Sequence, residues 1–521
     1  MRLKDSLSKE ESQKFLAKGY EIPKYDRDAV KKNTLENPRW IHFGAGNIFR
    51  AFPAKVIDNV LNTGKYDTGV IVAEGFDTEI IDKAYTPFDN LSLLTVLKAD
   101  GSVDKRVIGS VVDALRVNGE YPEDMKRIAE YFKNPTLQMI SFTITEKGYK
   151  NRNLMDNITL LMFERFKSCK APLTLASMDN CSHNGDKLKE GVMQSAEGLL
   201  EEGKVTKEFL EYIKNPKCIS FPWSMIDKIT PRPDEGVRRM LLNDGFEDAE
   251  VIITSKNTYT SAFVNAEETE YLVMEDDFPN GRPPFDLGGV IFTDRKTVDM
   301  VEKMKVCTCL NPLHTAMAIF GCLLGYTTIH DEMDDEDIRT LVTRMGYEEG
   351  MKVVVDPGII KPEDFIDTVL TKRLPNPFMP DTPQRIACDT SQKLPIRFGE
   401  TLFAYRERNL GVEKLKFIPL VVAGYVRYLM AIDDKGNAFE PSPDPLLSEL
   451  MELVSPLKMA KDGGCDEKTV DDVLNIILRR EDIFKIDLYS CGLDGIIKKY
   501  LMEMISEEGA VRATLHGVIL S

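Results

Sequence analysis

Short apolar runs and stretches of helical periodicity alternate along the first half of the chain. Residues 40–43 (WIHF) are apolar enough to predict a strand. GAGNIF follows as a glycine turn, AFPAKVIDNVLNTG then carries apolar residues at helical spacing, and 68–73 (TGVIVA) predicts the next strand. Strand, glycine turn, helix and strand in that order open a parallel α/β sheet. Further runs predict strands at 91–97, 108–114, 138–143, 173–177 and 251–254. Periodic stretches predict helices at 122–133, 154–168, 185–202 and 206–215, and the first 37 residues predict short helices and polar turns ahead of the fold.

Two proline-rich passages interrupt this pattern. Residues 221–236 (FPWSMIDKITPRPDEG) predict a loop, and 278–292 (FPNGRPPFDLGGVIF) predict a domain boundary. Beyond it the periodicity is helical, at 296–325, 334–351, 361–373, 418–433, 444–458, 468–479 and 491–506. The expected organisation is an α/β domain over 1–290 and a mainly α-helical domain over 291–521.

A chain of 521 residues, 43% of them hydrophobic, can fill two large domains or three smaller ones. Its net charge of -17 lacks the cationic field of a nonspecific nucleic-acid binder. An anionic small substrate stays open, because a local basic pocket acts within a screening length of its ligand. The nine cysteines show no zinc-knuckle spacing. Cys181, Cys307, Cys309 and Cys322 are expected as core thiols, with no metal. The charged start, MRLKDSLSKEESQKF, lacks the apolar core of a signal peptide, and no apolar run reads as a membrane span. A soluble cytoplasmic protein is expected.

Two segments carry candidate chemistry. Gly44 and Gly46 follow a strand and precede a helix, the arrangement that lets backbone amides approach a pyrophosphate. The third glycine of the dinucleotide fingerprint is absent, and Phe49 and Arg50 stand there instead. Arg50 would suit a diphosphate or an acidic neighbour, and a purely structural turn has the same composition. Glu74 and Asp77 lie where an acid meets the adenosine ribose, and either would repel the 2'-phosphate of NADP, which favours NAD. The second segment, 300–321 (MVEKMKVCTCLNPLHTAMAIFG), places Lys305, Asn311 and His314 in an otherwise apolar helix. Such residues suit proton transfer at a carbonyl or carbinol carbon, although one histidine there also suits a satisfied core position.

HFGAGNIFRAF, ITEKGY, MDNCSHNG, FPWSMIDKITP, GRP, EKMK with LNPLH, and RIACDTSQKLPIRF occur in one order over about residues 38–500. In this the chain resembles the polyol-specific long-chain dehydrogenases, a group that includes mannitol 2-dehydrogenase and the hexuronate reductases. The resemblance implies a Rossmann-type N-terminal domain, a helical C-terminal domain with the active site in the cleft between them, NAD(P) as cofactor and no metal. It implies Lys305 as general acid or base and Asn184 and Asn311 as donors to the reacting oxygen. His314 would position the site, and Glu302 would assist proton passage. It puts Asp227, Arg385 and Lys393 near the substrate hydroxyls, and Asn47 falls within the implied cofactor loop.

Elementary chemistry agrees with those assignments. Hydride arrival at a carbonyl carbon puts negative charge on the oxygen, which fixed amide donors stabilise and an ammonium group can protonate. Asn311 and His314, three apart, share a helical face, yet Asn311 would equally cap a helix that starts at Pro312. Arg385, Lys393 and Arg397 could surround a polyhydroxy acid. One feature departs from the family pattern. Five residues, VCTCL, separate Lys305 from Asn311 where four are usual. On an unbroken helix that turns the lysine by about 100°; a π-bulge would restore it, and otherwise Lys303 or a flexible Lys305 must reach in.

The resulting expectation is an NAD-dependent hexuronate reductase acting on fructuronate, with tagaturonate reductase and mannitol or arabinitol dehydrogenase as alternatives. The reading from a different class is a non-catalytic NAD(H)-binding sensor or interaction module. A small sugar acid or polyol is the expected partner, and the helical domain could cover its own core as a monomer.

Overall fold

A computed structural model describes residues 1–460 and 463–521, which divide into two compact units, Met1–Asp299 and Met300–Ser521. The first unit is built on six parallel strands: β1 (Trp40–Phe43), β2 (Val70–Glu74), β3 (Val111–Arg116), β4 (Met139–Phe142), β5 (Leu173–Ser177) and β6 (Ile219–Ser220). Their order, β3-β2-β1-β4-β5-β6, is that of a doubly wound dinucleotide-binding sheet. Strand order reverses between β1 and β4, so the carboxyl ends of these two strands open the crevice where such sheets receive ligands.

Successive side chains divide between two cores. Ile41, Phe43, Ile71, Ala73 and Ile140 pack with Ile128 and Phe132 of α3 (Pro122–Lys133), Ile158 of α4 (Arg152–Ser168) and Leu188 of α5 (Asn184–Glu201). Trp40, Val70, Val72 and Met139 pack instead with Phe49 of α1 (Asn47–Ala51) and Ile57 and Val60 of α2 (Pro53–Asn62). Both faces are covered, which is why these strands read as continuous apolar runs.

The run at 108–114 is not one strand: Val103–Ile108 and β3 belong to different sheets, joined through Gly109 and Ser110. The passage 221–236, expected as a loop, contains β7 (Ser224–Asp227). This strand pairs antiparallel with β8 (Tyr271–Glu275), which in turn pairs with β9 (Ile291–Thr293). Pro222 and Pro231 flank β7 and leave its ladder intact. Because β9 belongs to that sheet, the proline- and glycine-rich passage before it lies within the first unit.

Where 296–325 predicts one regular helix, there are three parts: α6 (Arg295–Met304), a π-helical turn at Lys305–Cys309, and α7 (Asn311–Leu324). Leu310 N donates to Lys305 O at 3.1 Å, five residues back, and His314 N to Leu310 O at 3.0 Å resumes the α pattern. Pro312 explains the turn. It has no N–H for Thr308 O, and its ring would strike that carbonyl in a regular helix. Thr401 Oγ1, on α9 (Glu400–Glu407), donates to Cys307 O at 3.2 Å and so satisfies one carbonyl of the turn.

α7 is apolar all round and packs on α8 (Pro383–Ile386) and α10 (Phe417–Leu429). Arg295–Leu324 is long and apolar enough to cross a membrane, which corrects the expectation that no run is. However, 78% of its apolar window is buried within the structure, as in a core helix. Cys309 and Cys322 are core thiols, whereas Cys181 and Cys307 are only half-buried.

Replacing Thr401 by valine should remove the donor to Cys307 O and lower stability by about 1–3 kcal/mol, while Thr401→Ser should cost far less. Chemical denaturation of the two variants measures this. Equal midpoints for both would mean that the hydroxyl does not support the turn.

Candidate functional site

In the first unit the glycine turn sits at the carboxyl end of β1. Gly44 has φ +109°, and a Cβ there would lie 2.4 Å from Thr143 O, so only glycine fits. A Cβ on Gly46 would meet nothing within 4 Å, leaving the open cradle that a dinucleotide phosphate requires. Asn47 begins α1 and its side-chain amide donates to Tyr259 O at 3.0 Å.

Two residues expected to touch the cofactor are committed to the core instead. Phe49 is fully buried and stacks on His42 at 4.2 Å. Arg50 is 1% exposed and pairs with no acid among the described residues. Its guanidinium donates to Ser92 Oγ, Thr260 Oγ1 and Ala262 O at 3.0–3.2 Å.

The two acids at the end of β2 differ in the same way. Glu74 Oε2 accepts from Ala45 N at 2.8 Å, and Oε1 from Phe76 N and Asp77 N at 2.8 and 3.1 Å. Its carboxylate therefore shapes the glycine turn. Asp77 Oδ2 accepts from Thr254 Oγ1 at 2.6 Å, and its buried Oδ1 has no partner among the described residues. Of the two, Asp77 retains acceptor capacity suited to a ribose hydroxyl.

Asn184 also departs from expectation. It is fully buried, and its amide nitrogen donates to Asp179 O, Ser224 O and Ser224 Oγ, each at 3.0 Å. Its oxygen accepts from Ser224 N at 3.0 Å. The side chain pins the start of α5 to β7 and has no donor left for a reacting oxygen. The exposed amide of the same MDNCSHNG segment is Asn180, four residues earlier. Asp227 closes β7, buried and opposite Tyr271.

In the second unit Lys305 opens the π-turn and is 4% exposed, while Lys303 is exposed. A π-turn holds one residue more than an α-turn, so it takes up the additional residue between Lys305 and Asn311. Asn311 is half-buried, and its carboxamide has no hydrogen-bond partner among the described residues. Leu310, not Asn311, occupies the N-cap of α7, without a side-chain cap. Glu302 is half-buried, one helical turn before Lys305.

His314 follows Asn311 by three residues on α7. Its buried Nε2 has no hydrogen bond among the described residues, and Asp381 Oδ2 lies 4.0 Å away. Burial, then Arg397, Arg373, Arg385 and Lys393, push its pKa down to about 3, so the ring is neutral. Arg385, Lys393 and Arg397 thus converge on one histidine. Arg385 pairs with Asp381 at 3.2 Å, and Lys393 Nζ donates to Ile386 O at 3.0 Å. Sequence reading missed Arg373 and Asp381. Arg373 lies in DTVLTKRLP, which reads as an ordinary helix end, and only the fold reveals its burial.

Comparison with known proteins gives a consistent set of relatives. The mannitol dehydrogenase Rossmann domain model matches residues 38–287, and the mannitol dehydrogenase C-terminal domain model matches 297–490. D-mannonate oxidoreductase of Thermotoga maritima is 49% identical, covering 96% of each chain. Mannitol 2-dehydrogenase of Pseudomonas fluorescens, solved as a ternary complex with NAD and D-mannitol, superposes with a TM-score of 0.67. It is 22% identical, with both chains fully covered. A D-sorbitol dehydrogenase in substrate-free form has a TM-score of 0.73 at 22% identity, covering 95% of this chain and 97% of its own.

Two outcomes follow from this geometry. Asp77→Asn should narrow the preference for NADH over NADPH by about tenfold or more, equivalent to about 1.4 kcal/mol. An unchanged ratio of kcat/KM values would remove Asp77 from cofactor selection. His42 and His314, both held near a pKa of about 3 by burial, should show no ring titration between pH 5 and 8 by NMR. Since their folded pKa lies below the ordinary 6.5, their stabilising effect is full above that pH and is lost as pH falls toward 3. A midpoint near 6.5 for His314 would contradict this.

Proposed function

Because the chain belongs to the mannitol dehydrogenase family, we propose that it is an NAD-linked oxidoreductase interconverting D-fructuronate and D-mannonate. The observation that carries the substrate assignment is the 49% identity, over nearly the whole length, to a D-mannonate oxidoreductase. The cations around His314 support it, because an acid substrate needs a local positive field on a chain of net charge -17.

The Gly44 amide donates to Ala73 O at 2.9 Å, so the backbone amides of Gly46 and the start of α1 would hold the dinucleotide phosphates, with Asp77 on the ribose. When bound, the nicotinamide supplies or accepts the hydride. As negative charge grows on the substrate oxygen, Asn311 donates its unengaged N–H to it. Lys305 delivers the proton in reduction and accepts it in oxidation, and Glu302 passes it toward solvent. Neutral His314 exchanges a hydrogen bond with a substrate hydroxyl through Nε2. Asp227 accepts from another hydroxyl.

NADH consumption with D-fructuronate, D-tagaturonate and D-fructose under identical conditions tests the assignment. Preferential turnover of D-fructuronate is expected, and turnover of D-fructose alone would move the enzyme to polyol chemistry. Lys305→Ala should lower kcat by about 10²–10⁴-fold and Asn311→Ala by about 10²–10³-fold, with NADH affinity unchanged by fluorescence titration. Full activity in Lys305→Ala would refute the general-acid role.

A further inference from the structure

We infer that Arg397 reads the carboxylate of the substrate and sets the preference for a sugar acid over a neutral ketose or polyol. This rests on the functional reading above. Arg397 lies within another π-turn, Pro395–Gly399, which packs against the one that carries Lys305. Pro395 stands at the first position of this turn. The turn directs Arg397 toward α7, where its guanidinium donates to Thr315 Oγ1, on the residue after His314.

The electrostatic setting distinguishes Arg397 from its neighbours. Arg385 has Asp381, and Lys393 has a backbone carbonyl. Arg397 has no ion pair among the described residues, and the Thr315 hydroxyl is its one hydrogen-bond partner there. Burial pulls its pKa down to about 10, with no acid opposing the shift. A half-buried guanidinium without a counter-ion is costly, and an arriving carboxylate offsets that cost. The remaining donors of its planar fork suit two parallel hydrogen bonds to a carboxylate. A neutral CH2OH group at that point would leave the charge uncompensated, so the same residue selects against polyols.

Steady-state kinetics of wild type, Arg397→Gln and Arg397→Lys test this with D-fructuronate and D-fructose, alongside NADH titration and thermal unfolding. Arg397→Gln should raise the KM for D-fructuronate by about 10–150-fold, the equivalent of one charge-assisted hydrogen bond. Values of kcat and NADH affinity should change far less, and the ratio of D-fructuronate to D-fructose kcat/KM should fall by a similar factor. Arg397→Lys, which keeps the charge, should recover part of the loss. An unchanged KM in a folded Arg397→Gln enzyme would overturn the inference, as would equal loss with both substrates. Wild-type activity on D-tagaturonate in place of D-fructuronate would overturn the substrate assignment alone, and the same variants then decide the role of Arg397 on that uronate.

Discussion

Pro312 is the constraint on which the catalytic segment depends. It falls inside a helical stretch that runs from Arg295 to Leu324, where every other residue can supply an amide hydrogen. A proline there either breaks the helix or forces a wider turn. The chain takes the second course, and the wider turn at Lys305–Cys309 keeps Lys305 buried while the helix continues into Asn311 and His314. The additional residue that sets this chain apart from its family pattern is thereby absorbed where it arises. Another π-turn, at 395–399, opens on Pro395, packs beside the first and carries Arg397. Local backbone irregularity, rather than loop insertion, shapes this wall of the second unit.

Hydrogen-bond satisfaction separates the polar residues that hold the fold from those left for chemistry. Glu74, Asn184 and Arg50 are polar, buried and fully engaged with neighbouring backbone or hydroxyl groups. Their removal would leave buried partners unsatisfied, so they read as architecture. Asp77 Oδ1, the half-buried Asn311 carboxamide and His314 Nε2 lack partners among the described residues. Unmet capacity of that kind, at the carboxyl edge of a doubly wound sheet and on the helix carrying Lys305, is what a cofactor and a polyhydroxy substrate would meet.

Much of the fold was legible in the residue pattern because its strands are buried on both faces. Apolar runs such as WIHF and VIVAE and the amphipathic helix at 122–133 have no competing reading. The strand at Ser224–Asp227 was hidden by prolines that flank it without entering its ladder. The spacing between Lys305 and Asn311 signalled an irregularity, and a π-bulge was one of its readings, but only the backbone shows the wider turn. Site residues were legible as types and not as states. Arg50 looked like a phosphate ligand because it follows the glycine turn, and Asn184 looked like an oxyanion donor because it ends a motif. What decided both was long-range partners in Thr260, Ala262 and Ser224, which no local pattern reveals.

The most direct test of this account is a crystal structure of the enzyme with NAD and D-mannonate, read at the reacting hydroxyl. The account predicts Lys305 Nζ and the Asn311 side-chain nitrogen both within hydrogen-bonding distance of that oxygen, about 2.7–3.2 Å, with the π-turn intact. Lys303 in place of Lys305 at that oxygen, or a regular helix through 305–309, would contradict it.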